Sequence, residues 1–157
     1  MKTLVMGFGN PILTDDAVGI RVAQELEGDF PDLAVVATSE AGLAILEEVT
    51  GYHRLIIVDS IKTGEGRPGE LYKLAMEDLK PRSDFSSSHG LDIATAFKLG
   101  EKLGYSLPQE VSIYAVEVKD NTTFGEGLTP EMEQSIPLIV RQIIEEERLC
   151  QTSSPKS

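Results

Sequence analysis

The feature that most constrains the fold is the alternation of short apolar segments with segments of helical periodicity. Four apolar segments have the length of buried strands, at residues 3–8, 33–37, 55–58 and 111–118. Three segments between them repeat apolar side chains at helical spacing, at residues 16–27, 41–49 and 89–103. This alternation predicts an α/β domain with a mainly parallel sheet that is covered by helices on both faces.

Residues 70–74 interrupt the alternation. They follow a stretch rich in turn-forming residues at 62–69, and they can form a strand that runs against the others. Thr129 followed by Pro130 predicts the start of a last helix, which runs to about residue 148. With no repeats and no linker, we expect one domain over residues 1–150 and a disordered polar tail at 151–157.

The loop after the first predicted strand has the sequence GFGNPILTDDAVG, and ligands bind at the carboxyl ends of strands in open α/β sheets. Gly7 and Gly9 allow the backbone to turn tightly here. A dinucleotide-binding fingerprint would need a third glycine where Ile12 stands. Asp15 and Asp16 would also repel a pyrophosphate, which makes a nucleotide-binding domain a weak alternative. Helix capping explains one aspartate, Asp15, and leaves Asp16 as the candidate for function.

Two further residues join Asp16 as candidates. Asp59 follows an apolar run and is expected at the carboxyl end of its strand, and His89 opens a helix after three serines. Two carboxylates and one imidazole suit a transition metal and leave positions open for another ligand. His53 lies just before the strand that ends at Asp59, and about 20 Å of extended chain separates the two residues, so we expect His53 at the opposite edge of the sheet.

Composition excludes several classes of function. The formal charge of −12 disfavours nucleic acid as a partner, and no apolar run is long enough to span a membrane. The single cysteine, Cys150, excludes an internal disulfide and fits a cytoplasmic location, and the first residues read as a strand, not a signal peptide. The sequence has no recognisable serine nucleophile turn and no His-Glu-x-x-His helix. A self-contained serine, cysteine or zinc protease is therefore poorly supported.

Four segments resemble those of the [NiFe]-hydrogenase maturation endopeptidases, in the same order along the chain. They are GFGNPILTDDAVG at 7–19, LIIVDS at 55–60, SHGL at 88–91 and FGEGLTPE at 124–131. The resemblance extends from residue 3 to about residue 148. It implies a three-layer α/β/α sandwich of the phosphorylase/hydrolase-like type, with a mixed, mostly parallel five-stranded sheet. Its one antiparallel strand would suit residues 70–74.

The resemblance also implies an activity and a set of site residues. Family members are peptidases that remove the C-terminal peptide of the hydrogenase large-subunit precursor after nickel has been inserted. The family's nickel-recognising residues correspond by motif position to Asp16, Asp59 and His89, and the nickel is carried by the substrate. The chain departs from the family at Asp16, which is glutamate in some relatives. It also departs at ATSE (37–40), near which many relatives have Asp-Gly-Gly-Thr; this difference bears on the choice of hydrogenase partner.

These residues suggest substrate-assisted hydrolysis, in which Asp16, Asp59 and His89 engage the nickel and position the scissile bond. The metal can polarise the carbonyl or activate water, and a carboxylate such as Asp16 can act as general base. The sequence leaves these roles open. An alternative is a non-catalytic module that uses the same residues to check for nickel during hydrogenase assembly.

Overall fold

The computed structural model describes residues 2–39, 44–76 and 89–150, and within the last range its description of side chains begins at Ile93. The strands are β1 (Thr3–Phe8), β2 (Ala34–Thr38), β3 (Arg54–Ile61), β4 (Leu71–Leu74) and β5 (Glu110–Glu117). The helices are α1 (Val18–Asp29), α2 (Ile45–Val49), α3 (His89–Leu103) and α4 (Pro130–Glu147), with a 3-10 helix at Thr14–Ala17 before α1. The predicted alternation of strands and helices is confirmed.

The strands form a five-stranded sheet in the order β2-β1-β3-β5-β4. β1 is parallel to β2 and β3, β3 is parallel to β5, and β4 is antiparallel to β5. Residues 62–70 between β3 and β4 are too few for the crossover that a parallel strand would need, so β4 runs back along the edge. The predicted mixed sheet with an antiparallel strand at residues 70–74 is therefore confirmed.

Helices cover both faces of the sheet and make the fold a three-layer sandwich. α1 and α4 pack on one face, and α2 and α3 pack on the other. Alternate residues of β3 divide between the two cores: Ile56 and Val58 face α1 and α4, whereas Leu55 and Ile57 face α2 and α3. This double burial explains why the strand is continuously apolar.

β3 is longer than predicted. It continues to Ile61 because β5 pairs beside it as far as Glu117, so Asp59 lies inside the strand and not at its end. β1, by contrast, pairs with β3 only up to Gly7, opposite Val58. Asp59 therefore lies one position past the last pair between β1 and β3, level with Phe8, the last residue of β1, where the first loop leaves the sheet.

Other boundaries shift modestly. The second strand is displaced by one residue, and the predicted first helix is divided into the 3-10 helix and α1. Part of the predicted helix at 41–49 and the whole predicted tail at 151–157 lie outside the described residues. Within the described ranges, no helix is long and apolar enough to cross a membrane.

The end of α4 is tied to the sheet by a buried carboxylate. Glu147 accepts hydrogen bonds from the guanidinium of Arg54 and from the hydroxyl of Tyr114. Burial alone would raise the pKa of Glu147, but hydrogen bonds from Tyr114, Arg54 and Ser112 together lower it below its ordinary value. The contact fixes the long helix against β3 and β5.

Candidate active site

The candidate site lies where the first loop leaves β1 beside Asp59 and Ser60, in the part of β3 that follows its last pair with β1. Strand order reverses between these two strands, since β2 lies on one side of β1 and β5 lies beyond β3 on the other. Such a switch point opens a crevice at the carboxyl edge of an α/β sheet. Asp16, in the 3-10 helix after β1, and Asp59, in β3, are both placed there.

Asp16 is half-buried, and donors on two sides hold its carboxylate. Its Oδ2 accepts a hydrogen bond from the backbone N–H of Asn10 at 2.9 Å. Its Oδ1 accepts one from the hydroxyl of Ser60 at 2.6 Å. The side chain is thus fixed in orientation by its own loop and by the neighbouring strand.

Asp59 is linked to the same serine. Asp59 is 7% exposed, and its Oδ1 accepts a hydrogen bond from the backbone N–H of Ser60 at 2.8 Å. Since successive side chains alternate across a sheet, Asp59 lies on the α2/α3 face and Ser60 on the α1/α4 face. Ser60, only 2% exposed, therefore contacts both candidate carboxylates. Its place directly after Asp59 was the only sign of this role in the sequence.

His89 is the first residue of α3, on the face of the sheet to which Asp59 belongs. Its side chain lies outside the described part of the structure, so the three-residue site stays a prediction. Among the side chains that are described, no group of three His, Cys, Asp or Glu is arranged to hold a metal ion. His53 lies at the opposite edge, as predicted, where its backbone N–H donates to the carbonyl of Lys2.

Asp15 is structural, but the expected helix cap is wrong. Neither the 3-10 helix nor α1 has a side-chain cap. Asp15 is 0% exposed, and its carboxylate accepts hydrogen bonds from the backbone N–H groups of Lys119, Asp120 and Thr129 at 3.2, 2.9 and 2.7 Å. The hydroxyl of Thr129 also donates to Asp15 and makes no cap on α4. Asp15 thus joins the first loop to the start of the last helix.

The first loop and the loop after β5 form a hydrogen-bonded unit, which we call the loop pair (residues 9–16 and 119–129). Thr14 N–H donates to the carbonyl of Gly125, and Gly125 N–H donates to that of Ile12, at 3.0 and 2.9 Å. Thr14 has a left-handed φ of 50°, which is unfavourable for a threonine, and its hydroxyl donates to the Thr123 carbonyl. The contacts of Thr14 with Gly125 and Thr123 hold the strained turn that precedes Asp16. Within the second loop, hydrogen bonds from Thr123 and Thr122 lower the pKa of Asp120 to about 2.

Three glycines allow the first loop and α1 to approach the sheet. Gly7 and Gly9 do not have a positive φ. Instead, a Cβ on Gly9 would lie 2.1 Å from the carbonyl oxygen of Asp16, and one on Gly7 would lie 2.4 Å from that of Gly19. A Cβ on Gly19 would meet the carbonyl of Val58 at 2.4 Å. The glycines are thus required by close packing, and this packing brings Asp16 to Ser60.

Glu117, near the site, is a buried acid to which the sequence analysis gave no role. It is 1% exposed, and it lies in β5 two residues after Ala115, which pairs with Asp59. Thr63 donates to it through its hydroxyl at 2.7 Å and its N–H at 2.9 Å, and Tyr72 donates through its hydroxyl at 3.0 Å. Burial raises the pKa of Glu117, but these hydrogen bonds together lower it below the ordinary value. With its acceptors occupied, Glu117 fixes the loop after β3.

Comparison with known proteins gives a consistent result. The sequence model of the hydrogenase maturation proteases matches residues 20–146. The chain is 28% identical over 148 residues to the hydrogenase 2 maturation protease of Escherichia coli (strain K12), covering 92% of this chain and 89% of that protein. The structure of the hydrogenase-maturating endopeptidase HybD from E. coli superposes with a TM-score of 0.75 at 28% identity, covering 94% and 93% of the two chains.

A more distant structure shares the fold. The [NiFe] hydrogenase maturation protease HybD from Thermococcus kodakarensis superposes with a TM-score of 0.73 at 22% identity, covering 94% of this chain and 99% of that one. The family match begins after the first loop, whereas the E. coli relative covers nearly the whole chain.

Proposed function

Since the chain belongs to the hydrogenase maturation protease family, a family of peptidases, we propose that it removes the C-terminal peptide of a [NiFe]-hydrogenase large-subunit precursor. We further propose that it acts after nickel insertion and recognises the nickel that the substrate carries. The relatives named above support the type of reaction and the type of partner. The site described here supports the recognition of a metal.

The observation that supports metal recognition is that Asp16 and Asp59 both hydrogen-bond Ser60 at the same edge of the sheet, Asp16 through its hydroxyl and Asp59 through its backbone N–H. An ionised carboxylate has about four lone-pair positions, and each oxygen of Asp16 receives one of the hydrogen bonds described. Acceptor capacity is left on both oxygens of Asp16. Carboxylate oxygens held in this way can bind a divalent cation together with an imidazole nitrogen, which His89 at the start of α3 would supply.

In the proposed reaction these side chains have two roles, binding of the nickel and transfer of a proton. Asp16, Asp59 and His89 bind the nickel of the precursor and thereby place its scissile peptide bond in the crevice. One carboxylate, for which we propose Asp16, takes a proton from water as the water oxygen bonds to the scissile carbonyl carbon. The same carboxylate returns that proton to the departing amine as the C–N bond breaks. Binding of a metal also favours polarisation of the scissile carbonyl.

A cysteine nucleophile is disfavoured by position. Cys150 follows the carboxyl end of α4, whereas the amino end of α4 adjoins the loop pair through Thr129. The 18 residues of that helix separate the two ends by about 27 Å at 1.5 Å per residue. Cys150 is therefore remote from Asp16 and Asp59.

Substitution tests the proposal directly. Wild-type protein and the variants Asp16→Asn, Asp59→Asn and His89→Ala are incubated with nickel-loaded precursor, and the mass of the large subunit is followed. We expect the wild type to release a C-terminal peptide and each variant to release at least about 100-fold less, because each loses a group that acts on the reacting centre.

Two variants serve as controls. Glu27→Gln neutralises an exposed acid of α1, and His53→Ala removes the histidine at the opposite edge. Both should process the precursor at the wild-type rate, and nickel-free precursor should not be cleaved. Normal processing by Asp16→Asn and His89→Ala would contradict the proposed site, and precursor left intact by the wild type would contradict the proposed function.

A further inference from the structure

We infer that Ser60 is a positioning residue for the proposed reaction, because its hydroxyl orients the carboxylate of Asp16 and its backbone N–H orients that of Asp59. This inference rests on the proposed function for its effect on peptide release. The contacts themselves are geometric: 2.6 Å from Ser60 Oγ to Asp16 Oδ1 and 2.8 Å from Ser60 N to Asp59 Oδ1.

The position of Ser60 in β3 makes the double contact possible. Asp59 and Ser60 are neighbours whose side chains lie on opposite faces of the sheet. β3 pairs with β5 both before and after these two residues, from Arg54 to Ile61. The hydroxyl therefore comes from a paired strand, whereas Asp16 lies in the short 3-10 helix, two residues after the strained Thr14. A donor on the strand fixes the side chain on the loop.

Ser60 has the geometry of a donor and not of a nucleophile. A serine hydroxyl has one hydrogen, and here it is directed to Asp16. With 2% of Ser60 exposed, a substrate carbonyl cannot approach its Oγ in this conformation. Attack by Ser60 would require its hydroxyl to leave Asp16 and the residues that bury it to move away.

The decisive comparison is between Ser60→Ala, Ser60→Thr and a matched control, Ser112→Ala. Ser112 lies on the adjacent strand β5 and hydrogen-bonds Glu147, so its replacement also removes a hydroxyl from the sheet. Each protein is assayed for release of the C-terminal peptide from nickel-loaded precursor, with kcat and KM determined separately. Thermal melts confirm that each variant is folded at the assay temperature.

We expect Ser60→Ala to lower kcat by about 10–100-fold, the usual effect of removing a hydrogen-bond partner behind a functional carboxylate. KM should rise by no more than about 10-fold, because Asp16 loses one orienting contact but keeps the carboxylate that binds the nickel of the substrate. Ser60→Thr, which keeps the hydroxyl, should recover most of kcat, and Ser112→Ala should leave kcat unchanged. An unchanged kcat in Ser60→Ala would overturn the inference. A loss of about 10⁶-fold, as when a nucleophile is removed, would also overturn it.

A second measurement needs no substrate and separates this inference from the proposed function. Urea unfolding is measured for the wild type, Ser60→Ala, Asp16→Ala and the double variant. Because the hydroxyl acts through Asp16, the effect of Ser60→Ala on the unfolding equilibrium constant should be several-fold smaller when Asp16 is already alanine. Equal effects in both backgrounds would overturn the inference, even if the wild type released no peptide.

Discussion

Replacing Asp15 with asparagine distinguishes a long-range anchor from a helix cap. Asparagine caps helices about as well as aspartate, so a cap would lose almost nothing on this change. The structure predicts otherwise, because the carboxylate accepts from Lys119 N, Asp120 N and Thr129 N. The single carbonyl oxygen of asparagine can serve only part of this set, and its NH₂ group is a donor facing other donors.

The size of the effect follows from the contacts that are lost. If the amide oxygen keeps the contact with Thr129, the N–H groups of Lys119 and Asp120 both lose their acceptor. Lys119 is exposed and Asp120 is half-buried, so water can replace part of each lost contact. A hydrogen bond of this kind contributes about 0.5–1.5 kcal/mol, so losing two of them costs about 1–3 kcal/mol of the free energy of unfolding. This is a substantial part of the roughly 5–15 kcal/mol by which a domain is stable.

Urea unfolding measures this cost. The midpoint for Asp15→Asn should fall while the m-value stays constant, with Glu27→Gln as the control for loss of one negative charge. If Asp15→Asn does not fold, Thr129→Val removes only the hydroxyl donor and should cost about 0.5–1.5 kcal/mol. A loss of less than about 0.5 kcal/mol for Asp15→Asn would refute the anchor and restore the cap.

Two further predictions concern packing and pH. Gly9→Ala should destabilise the protein by about 1–3 kcal/mol and impair peptide release, because its Cβ would press on the Asp16 carbonyl. Gly28→Ala, in α1 with open space around it, should instead stabilise by about 0.5–1 kcal/mol; the same sign for both would contradict the packing argument. The pKa of Glu147 is lowered, so its contribution to stability is present above pH 4.5 and is lost as the pH falls through the folded value. In Glu147→Gln the free energy of unfolding should therefore fall less steeply than in the wild type as the pH drops below 4.5. An equally steep fall would contradict the lowered pKa of Glu147.

The sequence predicted the layers of the fold because strand and helix patterns are local. β1 and α3 have the predicted bounds, since each begins and ends where its own apolar pattern does. The end of β3 could not be predicted in this way. It continues through the polar residues Asp59 and Ser60 because β5 lies beside it, and pairing between distant strands leaves no local signal.

The candidate site was predictable only in part for the same reason. The charge and position of Asp16 and Asp59 indicated the correct edge of the sheet. Asp15 looked like a cap because its donors are more than 100 positions away. Ser60 and Glu117 were not predicted, because a serine or glutamate in a strand has no pattern that reveals which side chain it will contact.

The joining of the two loops has a consequence for attempts to exchange segments among these proteases. Asp15 and Thr129 are 114 positions apart, yet Asp15 supplies the acceptor for the backbone N–H of Thr129. A chimaera that receives the first loop from a homologue without the segment at 119–129 would combine acceptors and donors selected in different backgrounds. Recombination that separates the two segments should therefore yield misfolded hybrids more often than recombination that transfers both together.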